Sequence, residues 1–164
     1  MDTKVWSLRL LMVAAGAMVI LPAAAKAASA GSVTITGKVP VSCNIAVAAA
    51  SGASNIADIS QGGTNLLVAT VTENCNDPSG YSVTLAGTNS ASYTGLFKDS
   101  VSNATQAFTV TYNGSTVSSA TLTDVAAPAN VAKDVRITYA ANPNLTGSVG
   151  YTYAETLTFS ITAK

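Results

Sequence analysis

Apolar and polar residues alternate in short runs along most of this chain. Near its start Val33, Ile35, Gly37, Val39 and Val41 hold the odd positions, with Thr34, Thr36 and Lys38 between them. Period-2 alternation marks a β-strand with one buried face. The same beat returns at Ile45 and Val47, at Leu67, Ala69, Val71 and Cys75, and at Tyr81, Val83 and Leu85. It appears again at Phe108, Val110 and Tyr112 and at Val135, Ile137 and Tyr139. The last run is one long strand with Tyr151, Tyr153, Leu157, Phe159 and Ile161 on one side and Thr156, Thr158 and Ser160 on the other.

Turn signals separate these runs. Asn76 to Gly80 reads "NDPSG", where Pro78 presets its φ and Gly80 tolerates positive φ. Asn113-Gly114 predicts a type I′ hairpin turn after the Phe108 run. Residues 49–63 read as a flexible connection, residues 141–150 as a loop, and "YTGLFK" as a short element inside a polar loop. No amphipathic helix of length appears. Seven or eight short strands with turns between them predict an antiparallel β-sandwich, immunoglobulin-like, with a closed barrel as the alternative. Its expected core is Tyr81, Val83, Leu85, Phe108, Val110, Val135, Ile137, Leu157 and Phe159.

The first residues change the picture of where this sandwich works. Lys4 and Arg9 precede an unbroken apolar run from Leu10 to Leu21, and "PAAAKAASA" follows with Ala-x-Ala spacings. This is the layout of a secretory signal peptide over residues 1–27, with cleavage after Ala27 or Ala30. The apolar run is shorter than the roughly 20 residues a membrane span needs. No second run of that length follows, so no membrane span is expected in the mature chain. Residues 28–164 suit one domain. In that exported chain Cys43 and Cys75 are the only two cysteines, and an even count in an oxidising compartment reads as a disulfide. Free thiols are the alternative; a zinc site would need ligands that two cysteines without histidine do not supply.

Charge and chemistry narrow the function further. Lys38, Lys98, Lys133, Arg136 and Lys164 face a slightly larger set of acids, so there is no basic patch for nucleic acid. The chain has no histidine, which removes the usual general base and metal ligand. Asp77, Asp99 and Asp124 stand beside turn residues and read as turn and loop polar groups. Lys98 and Lys133 read as solvated surface. "ENCNDPSG", with Glu73, Asn76 and Asp77, lacks the spaced acids of a calcium loop. Three N-glycosylation triplets, at Asn103, Asn113 and Asn144, arise readily in a chain this rich in Asn, Ser and Thr. No set of residues converges on a catalytic site, so no enzyme and no cofactor is expected.

Three features carry a resemblance. The first is "VTITGKVPV", an alternation with an in-register glycine shortly before a cysteine. The second is the Cys43 and Cys75 pair, placed to tie the first body strand to the end of the second. The third is "YAETLTFSITAK", an acid and a threonine leading into an alternating strand. In this combination the chain resembles subunits of chaperone–usher pili, most of all the archaic (Csu-type) pilins of the spore coat protein U-like group. The resemblance implies an incomplete immunoglobulin-like fold that a donated strand completes. It implies a donor segment over residues 28–40, with Val33, Ile35, Gly37 and Val39 as the donated positions, and a body over residues 41–164. Leu157, Phe159 and Ile161 would line the acceptor edge, and the Lys164 carboxylate would anchor a chaperone. The implied partners are other copies of the chain in a fibre, a periplasmic chaperone and an outer-membrane usher. The implied destination is the cell surface, for attachment or biofilm formation. Pro40, which lacks a ladder donor, reads as the punctuation between donor and body. The competing expectation is a self-complete secreted β-sandwich that binds a protein or glycan, with residues 31–39 as its own first strand.

Overall fold

Ten strands, antiparallel in every pairing, build two sheets among the described residues. The structure is a computed structural model that describes residues 30–53, 55–90, 93–125, 129–146 and 152–164, with the backbone alone described at 123–125 and 129–131. The expected signal peptide and Tyr151 lie outside the described residues. The chain divides between Gly37 and Lys38 into two units. In the first, residues 30–37 form no strand or helix, and the Val33 and Ile35 side chains are 84% and 90% exposed.

The second unit is a two-layer sandwich, not a closed barrel. Its larger sheet runs in the order β1 (Cys43–Ala49), β2 (Gly63–Cys75), β8 (Ala129–Tyr139), β5 (Thr105–Tyr112), β4 (Gly95–Asp99), β9 (Tyr153–Ala154), and β6 (Ser115–Thr116) pairs with the end of β5. The smaller sheet is β10 (Leu157–Ala163), β3 (Tyr81–Gly87), β7 (Thr121–Val125). Alternation decides which side chains meet between the layers. Ala69, Val71, Phe97, Phe108, Val110, Tyr112, Val135, Ile137 and Tyr139 come from the larger sheet, and Tyr81, Val83, Leu85 and Phe159 from the smaller. Of the expected core, only Leu157 is half-buried rather than buried.

Local chemistry sets the turns. Asn113 and Gly114 both take positive φ, 48° and 83°, as the type I′ turn between β5 and β6 requires. The turn after β2 does not close a hairpin. It carries the chain from the larger sheet to the smaller, and the Cys43–Cys75 disulfide joins directly opposed residues of β1 and β2 at this end. Gly95 makes room for a ring, because a Cβ there would overlap Phe108.

Several expectations are corrected. The body's first strand begins at Cys43 rather than Val41. "YTGLFK" contributes a core strand, β4, with Phe97 buried. The connection after β1 holds one 3-10 turn, Ile59–Gln61, capped by the Asp58 carboxylate, and β2 already starts at Gly63. Leu67 leaves the inward face because the pairing of β2 with β8 shifts register between Leu67 and Ala69. Asp124 lies within β7 and not in a turn. The expected long terminal strand is broken: Tyr153 pairs with Asp99 in the larger sheet, while β10 pairs with β3 in the smaller. Glu155 makes that switch of sheets. Its carboxylate accepts the backbone N–H of Thr88 at 2.6 Å, Asn89 at 3.1 Å, Leu96 at 3.2 Å and Thr156 at 3.0 Å.

Candidate functional site

Two edge strands frame the site. β1 ends the larger sheet and β10 ends the smaller, and among the described residues each is paired on one side only. At one end they close on each other. Cys43 and Ile45 of β1 and Ile161 of β10 pack with Cys75, Tyr81 and Val83. Farther along they part. Val47 and Ala49 face Leu157 and Phe159 across an apolar cavity of about 250 Å³, floored by Val68, Ala69, Phe108, Val135 and Ile137. Val47 is on the inward face yet 50% exposed, because nothing among the described residues covers it. A second cavity of about 690 Å³ continues from the first past Ile56 and Glu155 to Asp58, Thr152 and Tyr153.

The closed end is held by a buried charge. Glu73 is fully buried between the sheets. Lys133 Nζ donates to its Oε2 at 2.7 Å, Tyr81 donates its hydroxyl to the same oxygen at 2.8 Å, and Tyr112 donates its hydroxyl to Oε1. The Lys133 ammonium also stands 5.4 Å from the Tyr112 ring centroid. Burial pushes the Glu73 carboxyl up, but the bonds from Lys133, Tyr112 and Tyr81 outweigh it and hold the group below the usual range. Burial and the Glu73 charge push Tyr81 up to about 12, and Tyr112 is raised for the same two reasons. Breaking such a pair leaves an uncompensated charge, so the cluster ties β2, β5 and β8 to β3.

This corrects the reading of Lys133 as solvated surface. The signal was in the alternation. Lys133 precedes Val135 by two, Glu73 follows Val71 by two, and Tyr112 and Tyr81 extend the Phe108 and Val83 runs. A charge on an inward face needs a partner, and here each sign finds the other. Lys98, by contrast, is exposed. Asp99, fully buried, accepts from the N–H groups of Val101, Ser102 and Thr152, and so holds a loop as the sequence suggests. Asp77 likewise accepts from Ser79 N–H at 2.8 Å. Glu73, Asn76 and Asp77 do not converge: Glu73 turns inward, while Asn76 bonds Pro40 and Ser42.

The residues singled out in the sequence fall into two places. Leu157, Phe159 and Ile161 share the inward face of β10, with Phe159 buried and the other two half-buried. Lys164 lies just beyond that strand, with its N–H donating to Gly80 O at 3.2 Å. Val33, Ile35 and Val39 are exposed, and a Cβ on Gly37 would meet nothing within 4 Å. Val47, Ala49 and Val68 also line the cavity, and the sequence pattern does not mark them as site residues. Their number of apolar neighbours depends on where β1 and β10 diverge, which a single strand's pattern does not encode. The chain matches no protein-family model and no curated protein sequence.

Proposed function

We propose that this chain is a structural subunit of a surface fibre, assembled by strand donation between copies. The observation that carries the reading is the apolar cavity between the edges of β1 and β10, which among the described residues are unpaired and leave it uncovered. An added strand there would gain main-chain hydrogen bonds from the edges and pockets for alternate side chains. The chain itself carries a segment of matching pattern, Val33, Ile35, Gly37 and Val39, whose apolar side chains are exposed. Each such side chain taken into a pocket contributes roughly 1.5–3 kcal/mol. Gly37 would stand where the groove leaves no room for a Cβ.

On this reading the sandwich is an incomplete immunoglobulin-like domain of the chaperone–usher pilin type. A periplasmic chaperone covers the groove before assembly at an outer-membrane usher. The role is attachment or biofilm formation at the cell surface, and it is structural rather than catalytic. A self-complete sandwich, the competing reading, has no use for an uncovered inward Val47.

Deletion of residues 31–39 tests it. The shortened chain should lose the ladder of oligomers on size exclusion and should bind a synthetic peptide of residues 31–39. Ile35→Asp in that peptide should abolish binding, because it places an unpaired charge in an apolar groove. A shortened chain that assembles as the full chain does would exclude strand donation.

A further inference from the structure

We propose that Asn76 is a positioning residue that sends the 31–39 segment into the groove of a second copy and bars it from its own. The inference rests on the strand-donation reading. Asn76 stands one step past the Cys43–Cys75 pair, where the chain leaves β2 for the turn. Its N–H donates to Ser42 O at 3.1 Å, continuing the β1–β2 ladder. Its side chain then supplies what the departing backbone no longer can. Oδ1 accepts from Ser42 N–H at 2.6 Å, and Nδ2 donates to Pro40 O at 3.0 Å. Pro40 has no N–H of its own, so its carbonyl is the only ladder group it offers, and Asn76 takes it. Residues 40–42 are thereby committed in line with β1, on the edge that β2 uses.

That commitment limits how far the segment can fold back along the free edge of β1. With residues 40–42 held, a reversal must be made upstream of Pro40. Even the tightest two-residue hairpin, through Lys38 and Val39, which Pro40 cannot close because it has no N–H and its carbonyl is held by Asn76, would bring Val33 no farther than opposite Asn44. The cavity, at Val47 and Ala49, stays out of reach. Released, residues 40–42 form a three-residue loop that sets Val39 opposite Cys43. Ile35 then falls opposite Val47 and Val33 opposite Ala49, in phase with the pockets. The clamp thus withholds about five residues of register, roughly 16 Å of strand. No such limit applies to the groove of another copy.

The test is Asn76→Ala in the full chain, read by size exclusion and by hydrogen exchange of the residue 33–37 amides. In the wild-type chain the residual monomer should leave these amides unprotected. Loss of the two side-chain bonds should raise the monomer fraction about tenfold, with the 33–37 amides now protected in that monomer. A merely structural role would lower the melting temperature without protecting the segment. Asn76→Asp keeps the acceptor for Ser42 and loses the donor to Pro40, so it should lie between. If Asn76→Ala does not fold, Asn76→Asp carries the same test. Assembly unchanged by the substitution, or a monomer whose segment stays unprotected, overturns the proposal and leaves strand donation standing. A wild-type chain that does not assemble, or that assembles without residues 31–39, removes strand donation itself.

Discussion

Two stretches of this chain have the same pattern and opposite fates. Val33, Ile35, Gly37 and Val39 alternate with polar residues as regularly as Leu157, Phe159 and Ile161 do. The second stretch is β10, paired with β3 through its whole length and with Phe159 8% exposed. The first has no regular structure, and Ile35 is 90% exposed. Alternation reports that a strand has an apolar face. It does not report which sheet, or whose, will cover that face.

The largest effect that separates the two should come from truncation. Phe159→Ala should cost about 3–5 kcal/mol in a denaturant titration of the monomer. Ile35→Ala in the same experiment should stay within about 0.5 kcal/mol, as an exposed substitution does. Equal costs would mean that the segment is part of its own monomer's core, and the comparison would collapse.

The closed end near β10 has a buried pair that residues 31–39 lack. Lys133→Met should cost about 3–5 kcal/mol, because Glu73 would be left charged and only partly satisfied. The pH dependence has a definite sign. Glu73 titrates below its ordinary 4.5 in the folded protein, so its contribution is complete above about 4.5 and is lost as pH falls through the folded value. Tyr81 is raised from 10.0 to about 12, so its contribution is complete below pH 10 and is lost as pH rises toward 12. Thermal melts across both ranges check this, and Glu73→Gln should make the acid limb shallower. A flat wild-type profile in acid would contradict the cluster's role.

The smallest effect compares two glycines. Gly95→Ala should cost about 1–3 kcal/mol, since the new methyl overlaps the Phe108 ring. Gly37→Ala has open space and should leave the monomer's melting temperature unchanged. Its effect should appear only in assembly, as slower or weaker polymer formation on size exclusion. A Gly37→Ala chain that assembles like wild type would remove Gly37 from the donated face.

Much of this is legible in the sequence. The inward faces of β3, β5 and β8 follow from Tyr81, Phe108 and Val135 and their alternating neighbours. Asn113-Gly114 announces its hairpin, and the Cys43–Cys75 disulfide is expected from the even cysteine count. The pattern reads the terminal strand as continuous because Tyr153 and Leu157 sit in phase across Glu155-Thr156. What breaks it is the capture of four N–H groups by one carboxylate, and three of those groups belong to residues far away in sequence.

Sequence by itself determined the all-β class, the strand faces and the disulfide, because period, turn chemistry and cysteine count are local properties of the chain. Only the tertiary structure decided that Glu73, Lys133, Tyr81 and Tyr112 meet at one buried point, and that β1 and β10 close at Cys43 and part at Val47. Both outcomes depend on how two sheets lie against each other. That is settled by packing between residues far apart in sequence, which no single strand's pattern contains.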